Sequence, residues 1–491
     1  MVDGTSLRRA GCEALVALLG TNHVFLPGSA GYNTSIASYF SPQAAAVRPA
    51  CYVTPQTAQD VSAIVKSLTS SANGGPHDFA VRAGGHTWFA DSNSSPGGVT
   101  VDLRGLKSVD LSADKSSVSV GSGATWDLVY GKLDPLGLSV AGGRVAGVGV
   151  GGLTLGGGIS YFSPREGWTC NQALAFEVVL ADGSIVEANE SENADLWWGL
   201  RGGSNNLGIV TRIDLRTFEQ GLLWYSMTFN PLTVVDEQIK IYADLMAPQN
   251  YDVNASYLTG WAYAATQGLS VTLNQLIYTQ PTGNVTPAYF KPILDLPSIP
   301  TPISGTVYGT MSTLAAQSAT MQVPQAAQYM TATVTFEPTE AMIRETYAAF
   351  NASLAQVQNV TGVSWAMNME PLPPQIYNGG GGADANALGL THENGRALVV
   401  CLISPSWSDA AQNDQVYAAA RALMDDVAAR AKKLGVFDPY IYLNYAAPWQ
   451  DVIPSYGAES VEKLQKVRAR VDPGQVFTKK VTGGFKIPPS C

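Results

Sequence analysis

Residues 81–87 read Val-Arg-Ala-Gly-Gly-His-Thr, a short apolar run that ends in two glycines and a histidine. Glycine tolerates positive φ and close approach, so Gly84 and Gly85 can turn free backbone N–H groups toward an anion such as a pyrophosphate. His86 would then lie at a fixed distance from the phosphates, near the ring end of a bound dinucleotide. A histidine that only shapes a turn is the alternative for this segment taken alone.

A second stretch, residues 141–158, reads AGGRVAGVGVGGLTLGGG and formally matches the Rossmann fingerprint at Gly147-x-Gly149-x-x-Gly152. We reject that interpretation, because further glycines follow where a helix should open and the βαβ context is missing. So many glycines indicate backbone that lies against something bulky and planar, such as a flavin, or against other backbone. A structural hinge is the alternative.

A third stretch, residues 195–211, is another glycine turn that leads into an apolar strand. Backbone groups of Ile209 and Val210 could contact an adenine there.

The bulk composition excludes several classes of function. The 491 residues carry a net charge of -10 with 46% hydrophobic residues, which fits a globular chain of more than one lobe and disfavours nucleic acid or anionic membranes as partners. The longest uncharged run near the middle, residues 145–163, contains too many glycines for a membrane helix. We expect a monomer that binds a small molecule. We expect no metal, since the five cysteines form no CxxC pair and only four histidines occur.

Two features concern the compartment. We favour a disulfide between Cys12 and Cys51, with two buried free thiols as the alternative. Seven N-x-[ST] sequons favour a secretory route and a glycoprotein. The N-terminus has no apolar signal core, so we expect any secretion signal to be removed or absent. The sequons begin at Asn33, Asn93, Asn189, Asn254, Asn284, Asn351 and Asn359.

The pattern along the chain predicts an α+β protein with two lobes. Residues 1–218, with a core at 47–218, alternate short β-rich runs with turns and include a helix near 57–70. Residues 219–439 contain long strands and helices near 340–356 and 410–434, which predicts an antiparallel sheet with helices on one face. Residues 440–491 should return to the first lobe.

Taken together, the motifs resemble the vanillyl-alcohol oxidase/p-cresol methylhydroxylase flavoproteins, in the berberine-bridge-enzyme-like branch and especially its fungal members. The resemblance spans nearly the whole chain and rests on VRAGGHT, GVGGLTLGGGIS, FEVVLADGSIVEAN, DLWWGLRGGSNNLGIVT, YLNY and KVRARVDPGQVF. It implies a two-lobed FAD-binding fold of the p-cresol methylhydroxylase type, and an FAD bound to His86 through the flavin 8α-methyl.

Many relatives add a second bond from a cysteine, but that position is Val145 here, so we predict a single covalent link. We expect the other cofactor contacts to come from the glycine-rich segments, the adenine strand and the YLNY motif, namely Arg82, Ala83, Gly84, Gly85, Thr87, Gly142, Gly147, Val148, Gly151, Gly152, Thr154, Gly157, Ile209, Val210 and Asn444.

Tyr445 matches the position that often serves as base in the oligosaccharide-oxidising relatives. A tyrosine has an ordinary pKa near 10, so it needs a nearby cation or donor to lower that value, and the sequence does not identify one. A tyrosine that only stacks or donates a hydrogen bond is the alternative. Glu370 is the second candidate for moving protons.

For the substrate, alternation along residues 365–369 puts Trp365, Met367 and Met369 on one face, which would suit an apolar molecule. Packing of that face under the helices is the alternative, and Tyr377 precedes a glycine run, residues 379–382, interpreted as a loop at the pocket mouth.

The function expected from all of this is an FAD-dependent oxidase for an apolar alcohol or an intermediate of fungal secondary metabolism, with oxygen reduced to hydrogen peroxide. Two alternatives stay open: a carbohydrate oxidase, and a redox-neutral isomerase or cyclase on the same scaffold.

Overall fold

The computed structural model of the chain describes residues 4–70, 77–283, 285–320, 327–378, 383–390 and 395–490. The predicted helices are confirmed, and their ends have physical causes. The helix at Ala58–Thr69 begins at a capping box between Thr57 and Asp60, and its apolar stripe is buried. The helix at Asn413–Leu434 ends at Gly435, whose φ is +72°.

The helices lie at α1 Gly4–Leu19, α2 Ala30–Ala37, α3 Pro42–Ala45, α4 Ala58–Thr69, α5 Trp126–Leu133, α6 Val150–Leu155, α7 Ser163–Glu166, α8 Ala194–Leu200, α9 Val235–Leu245, α10 Lys291–Leu294, α11 Met311–Thr320, α12 Glu340–Val357, α13 Pro374–Asn378, α14 Asn413–Leu434, α15 Val452–Ser455, α16 Ala458–Val471 and α17 Val476–Lys479. The strands lie at β1 Val24–Phe25, β2 Cys51–Val53, β3 Phe79–Arg82, β4 Val99–Asp102, β5 Val109–Leu111, β6 Ser117–Gly121, β7 Leu138–Ser139, β8 Ala173–Val179, β9 Ile185–Asn189, β10 Ile209–Arg216, β11 Phe218–Glu219, β12 Leu223–Pro231, β13 Ala255–Ala264, β14 Leu269–Tyr278, β15 Gly305–Gly309, β16 Gln328–Tyr329, β17 Ala332–Phe336, β18 Ser364–Leu372, β19 Leu398–Ile403, β20 Ser406–Trp407 and β21 Phe437–Asp438.

The first lobe contains two sheets. One has the order β1-β2-β4-β3, in which β2 and β3 each run parallel to β4. The other is antiparallel, with the order β5-β6-β10-β8-β9. The chain returns to this lobe near its end, where the backbone N–H of Phe79 on β3 donates to the carbonyl of Lys480. The glycine turn of the first stretch follows β3 in one sheet, and that of the third stretch precedes β10 in the other.

The second lobe is built on a ten-stranded antiparallel sheet with the main path β15-β12-β14-β13-β18-β19-β17-β21. Helices α9, α12 and α14 pack together over one face of it. Their apolar stripes bury a core of aromatic and aliphatic side chains. The opposite face of the sheet is therefore left to line a site between the lobes.

Cys12 and Cys51 form a disulfide that fastens α1 to β2, which confirms the pairing that the sequence favoured. Among the sequon asparagines, Asn33, Asn351 and Asn359 are exposed and Asn93 is buried, whereas Asn284 lies outside the described residues. No helix in the described part of the chain is long and apolar enough to cross a lipid bilayer. The described residues contain no group of three or more metal-ligating side chains that could hold an ion.

Candidate active site

A cavity of about 740 Å³ lies between the lobes. The first lobe contributes the turn after β3, the segment around α6, and the start of β10. The second contributes the uncovered face of the large sheet, and the C-terminal segment contributes the turn at Leu443–Tyr445. Its size is that of a site for a cofactor or drug-sized ligand.

Glycines at two turns allow this cavity to form. A Cβ on Gly84 would lie 2.5 Å from the backbone nitrogen of Gly149, and a Cβ on Gly149 would lie 2.4 Å from that of Gly84. Gly85 has a φ of +71°, which side chains rarely adopt. Two backbone segments therefore cross in van der Waals contact, and only glycine permits the crossing.

The crossing forms one wall of the cavity. Gly152 lies on that wall, and a Cβ there would meet no atom within 4 Å. Bare backbone on the wall of a cavity of this size fits a bulky flat ligand such as FAD. The expectation that no helix opens here was wrong: α6 begins at Val150, although no βαβ unit surrounds it.

His86 lines the cavity, and its imidazole stacks on Phe40 with ring centroids 3.9 Å apart and planes 15° apart. Val145, where the family resemblance would place a second tether, lines the same cavity. The free cysteines among the described residues, Cys170 and Cys401, are buried outside the lining.

Ten other predicted cofactor contacts also line the cavity: Ala83, Gly84, Gly85, Thr87, Val148, Gly151, Gly152, Ile209, Val210 and Asn444.

Arg82 does not line the cavity. Its side chain is fully buried, pairs with Asp102 at 3.7 Å, and donates to the carbonyls of Ser35 and Ser38. Its position at the end of β3 points it away from the cavity, because side chains alternate along a strand. The expectation that Arg82 contacts the cofactor is corrected: it holds the N-terminal segment against the turn.

Four further predicted contacts also lie off the lining. Gly142 packs against the Trp126 ring, and the Gly147 N–H donates to the Asp127 carboxylate at 2.7 Å. The Thr154 hydroxyl donates to a carbonyl within its own helix, and Gly157 lies against Leu388. These residues shape the glycine-rich segment and do not contact the ligand site.

Arg144, Glu370 and Tyr445 meet at the wall of the cavity, although they come from three distant parts of the chain. Arg144 forms a two-pronged ion pair with Glu370, whose residue exposure is 2%. The Tyr445 hydroxyl donates to Glu370 Oε2 at 2.8 Å and accepts from Arg144 Nη2. Tyr445 and Arg144 reach the cavity, and Glu370 lies behind them.

A tyrosine base would need its pKa lowered, but the surroundings of Tyr445 have the opposite effect. Burial raises its pKa well above the ordinary value, and the opposing effect of Arg144 is smaller. Tyr445 is therefore a neutral phenol at physiological pH. Burial alone would lower the pKa of Arg144, but Glu370 and Tyr445 together raise it, so the guanidinium stays charged.

Sequence reasoning missed Arg144, although a signal was present: it is the one charged residue between Asp134 and Arg165. A lone charge within a glycine-rich apolar run needs a partner if it is buried. Phe40 carried no comparable signal.

The expected substrate residues do not line the cavity. Trp365, Met367 and Met369 are fully buried in the core beneath the helices, so the alternative interpretation of that face is correct. Tyr377 is also buried and donates to the Arg396 carbonyl. The glycine run that follows it lies outside the described residues.

The opposite face of β18 lines the cavity instead, through Ser364, Ala366 and Asn368. Neighbouring strands add a mostly apolar surface with a few amide and hydroxyl groups: Met227, Leu258, Leu273, Gln275, Leu402 and Ser404. Within the described lining, Arg144 is the only Arg, Lys, Asp or Glu, and its charge is already paired with Glu370.

Comparisons with known proteins agree with this geometry. Residues 49–189 match the family model described as an FAD binding domain. The chain is 35% identical over 487 residues to the FAD-dependent monooxygenase CTB5 of Cercospora beticola, covering 97% of this chain and 91% of that protein. It is 41% identical over 482 residues to the oligopeptidase PhomG' of Diaporthe leptostromiformis, covering 97% of this chain but only 37% of that protein.

Solved structures share the fold. A variant of berberine bridge enzyme in complex with (S)-reticuline superposes with a TM-score of 0.77 at 15% identity, covering 98% of this chain and 99% of that one. Glucooligosaccharide oxidase from Acremonium strictum superposes with a TM-score of 0.74 at 20% identity, covering 98% and 100%. The chain therefore has the fold of berberine bridge enzyme and the oligosaccharide oxidases, and it belongs to the family of FAD-dependent oxidoreductases that includes the fungal FAD-dependent monooxygenases.

Proposed function

We propose that the protein oxidises the carbinol group of a neutral, largely apolar small molecule and passes the electrons to molecular oxygen as hydrogen peroxide. FAD, when bound, supplies the acceptor for the hydride. The observation that carries the proposal is the buried group of Arg144, Glu370 and Tyr445 at the cavity wall. The protein's own task is to remove the hydroxyl proton as the hydride leaves.

Tyr445 and Glu370 form a relay for that proton. Since the Tyr445 phenol is neutral, it cannot begin as an ionised base. Its hydroxyl already donates to Glu370, so a substrate hydroxyl that donates to the Tyr445 oxygen can lose its proton as Tyr445 passes its own to the carboxylate. The substrate's hydroxyl proton would end on Tyr445 and the former Tyr445 proton on Glu370, while bound FAD would supply the acceptor for the hydride, so that the substrate becomes a carbonyl compound.

His86 and Val145 support attachment of FAD through a single histidyl link. The glucooligosaccharide oxidase of the same fold contains a 6-S-cysteinyl, 8α-N1-histidyl FAD. His86 on the cavity wall supports a histidyl link in this chain, and Val145 cannot supply a cysteinyl one. Acid precipitation of the purified protein tests this: flavin colour that stays in the pellet, and is released in His86→Ala, is the expected result.

The cavity surface supports a neutral substrate. An ionic substrate would lack a counter-charge, because the Arg144 charge is paired with Glu370. The sheet wall offers Gln275, Asn368 and Ser404 as isolated hydrogen-bonding groups among aliphatic side chains. A biosynthetic intermediate with an apolar skeleton and a few oxygen functions matches this surface better than an oligosaccharide.

The relay is tested by anaerobic flavin reduction in Glu370→Gln, with Glu337→Gln as the control. Glu337 also pairs with an arginine, but it lies outside the cavity. Neutral aromatic and alicyclic alcohols serve as probes, with xylobiose for comparison. Because general-base catalysis contributes roughly 10²–10⁴-fold, we expect Glu370→Gln to slow flavin bleaching by about that factor, and Glu337→Gln to leave it unchanged.

Bleaching at the parent rate in Glu370→Gln would overturn the relay. Turnover of xylobiose alone would favour the carbohydrate oxidase. One equivalent of peroxide per product identifies an oxidase, oxygen incorporated into product identifies a monooxygenase, and product formed without oxygen uptake identifies an isomerase or cyclase.

A further inference from the structure

Residues 35–41, named here the N-terminal clamp, lie against the turn that carries His86. The Phe40 N–H donates to the Gly85 carbonyl at 3.1 Å, and the Ser41 hydroxyl donates to the Trp88 carbonyl. The clamp is therefore tied to the turn on both sides of His86 in the sequence.

Arg82 fixes the other end of the clamp. Its guanidinium donates to the Ser35 carbonyl at 2.7 Å and to the Ser38 carbonyl at 2.9 Å. Its charge is balanced by Asp102, and it lies 3.8 Å from the centre of the Tyr39 ring. This buried arginine therefore joins the clamp to the strand that precedes His86.

The clamp places a flat surface against the imidazole. The Phe40 ring is nearly parallel to that of His86, 15° apart at 3.9 Å, and the Tyr329 ring meets the Phe40 ring edge-on at 5.2 Å. Phe40 is thus held between the imidazole and the large sheet. A ring held in this way restricts rotation of the His86 side chain about its Cβ–Cγ bond.

We propose that Phe40 is a positioning residue for flavin attachment, which sets the plane of the His86 imidazole for its bond to the flavin 8α carbon. This inference rests on the covalent link proposed above. In that step an imidazole N–C bond forms, one 8α C–H and one N–H proton are lost, and the flavin takes up two electrons that oxygen then removes as hydrogen peroxide. Phe40 takes no part in the bond changes and acts only through the orientation of His86.

The test separates attachment from binding. The parent, Phe40→Leu, Phe40→Tyr and Phe218→Leu proteins are isolated from flavin-depleted cultures and mixed with FAD in air. Covalent flavin is followed by fluorescence of the denatured chain in a gel, and initial FAD binding by fluorescence titration. Phe218 is the matched control, because its ring also packs against an aromatic ring, that of Phe162, but it lies outside the cavity lining.

Since an aromatic pair contributes about 0.5–1.5 kcal/mol beyond its area, we expect attachment in Phe40→Leu to slow by roughly two- to tenfold. Initial FAD binding should stay within about twofold, Phe40→Tyr should restore the parent rate, and Phe218→Leu should match the parent. Attachment at the parent rate in Phe40→Leu would overturn the proposal. An equal loss of binding and attachment would also overturn it, because Phe40 would then contribute affinity and not orientation.

A parent protein that releases all its FAD on denaturation would refute both the link and the role of Phe40. The relay through Glu370 would still stand on its own test.

Discussion

Gly152 offers a test of whether the glycine-rich segment approaches FAD. It lies within α6 and on the cavity wall, and a Cβ at this position would meet no protein atom within 4 Å. Replacement by alanine therefore creates no clash inside the protein. Because alanine is favoured over glycine in a helix, Gly152→Ala should raise the free energy of unfolding of the apoprotein by up to about 1 kcal/mol.

The same methyl group would project into the space that we assign to FAD. If the flavin lies against this backbone, the methyl overpacks the contact by roughly 1–3 kcal/mol, which weakens initial FAD binding about 5- to 150-fold. Gly131→Ala is the matched control: Gly131 lies in α5, a Cβ there also meets nothing within 4 Å, and it is outside the cavity lining.

Urea unfolding of the apoproteins and fluorescence titration with FAD measure the two effects separately. We expect both variants to be at least as stable as the parent, and only Gly152→Ala to lose FAD affinity. Parent-like FAD binding by a stable Gly152→Ala protein would refute the placement of FAD against α6.

Three further predictions concern stability. Burial lowers the pKa of Lys486 to about 7, so above that pH the unfolded chain binds one more proton than the folded chain. The free energy of unfolding should therefore rise from pH 7 toward pH 10. Urea unfolding of Lys486→Met at each pH should lack that part of the rise. The Cys12–Cys51 disulfide closes a sequence separation of 39, so the double serine variant should lose about 4 kcal/mol of unfolding free energy, and a smaller loss would indicate structure in the reduced unfolded chain. On β18, Met367→Ala should lower the free energy of unfolding by roughly 2–5 kcal/mol, because Met367 is buried under the helices. Asn368→Ala should leave that free energy nearly unchanged and alter the KM of the best probe alcohol. The reverse pattern would contradict the assigned faces.

The sequence predicted the parts of this protein that depend on local chemistry. The VRAGGHT turn needs glycine wherever it occurs, since the Gly84 and Gly149 backbones cross at a distance that no Cβ allows. Helix α4 begins at a capping box and α14 ends at Gly435, and both signals lie in the residues next to the helix. The same local logic located His86, and the structure places it on the cavity wall.

Other features required the tertiary structure. Period-two alternation on β18 defines two faces but does not say which one packs under helices, because both faces of a sheet between two layers can be largely apolar. The sequence likewise predicted that Arg82 contacts the cofactor. In the fold its guanidinium pairs with Asp102 instead.

The chemistry of Tyr445 shows the difference most clearly. The sequence by itself determined the cofactor class, the histidine and the tyrosine, because each belongs to a contiguous motif. It could not determine the protonation state of the tyrosine, which depends on burial and on Arg144 and Glu370, residues that lie 301 and 75 positions away in the chain. Only folding brings these groups to hydrogen-bonding distance and removes them from water, and that desolvation keeps the phenol neutral.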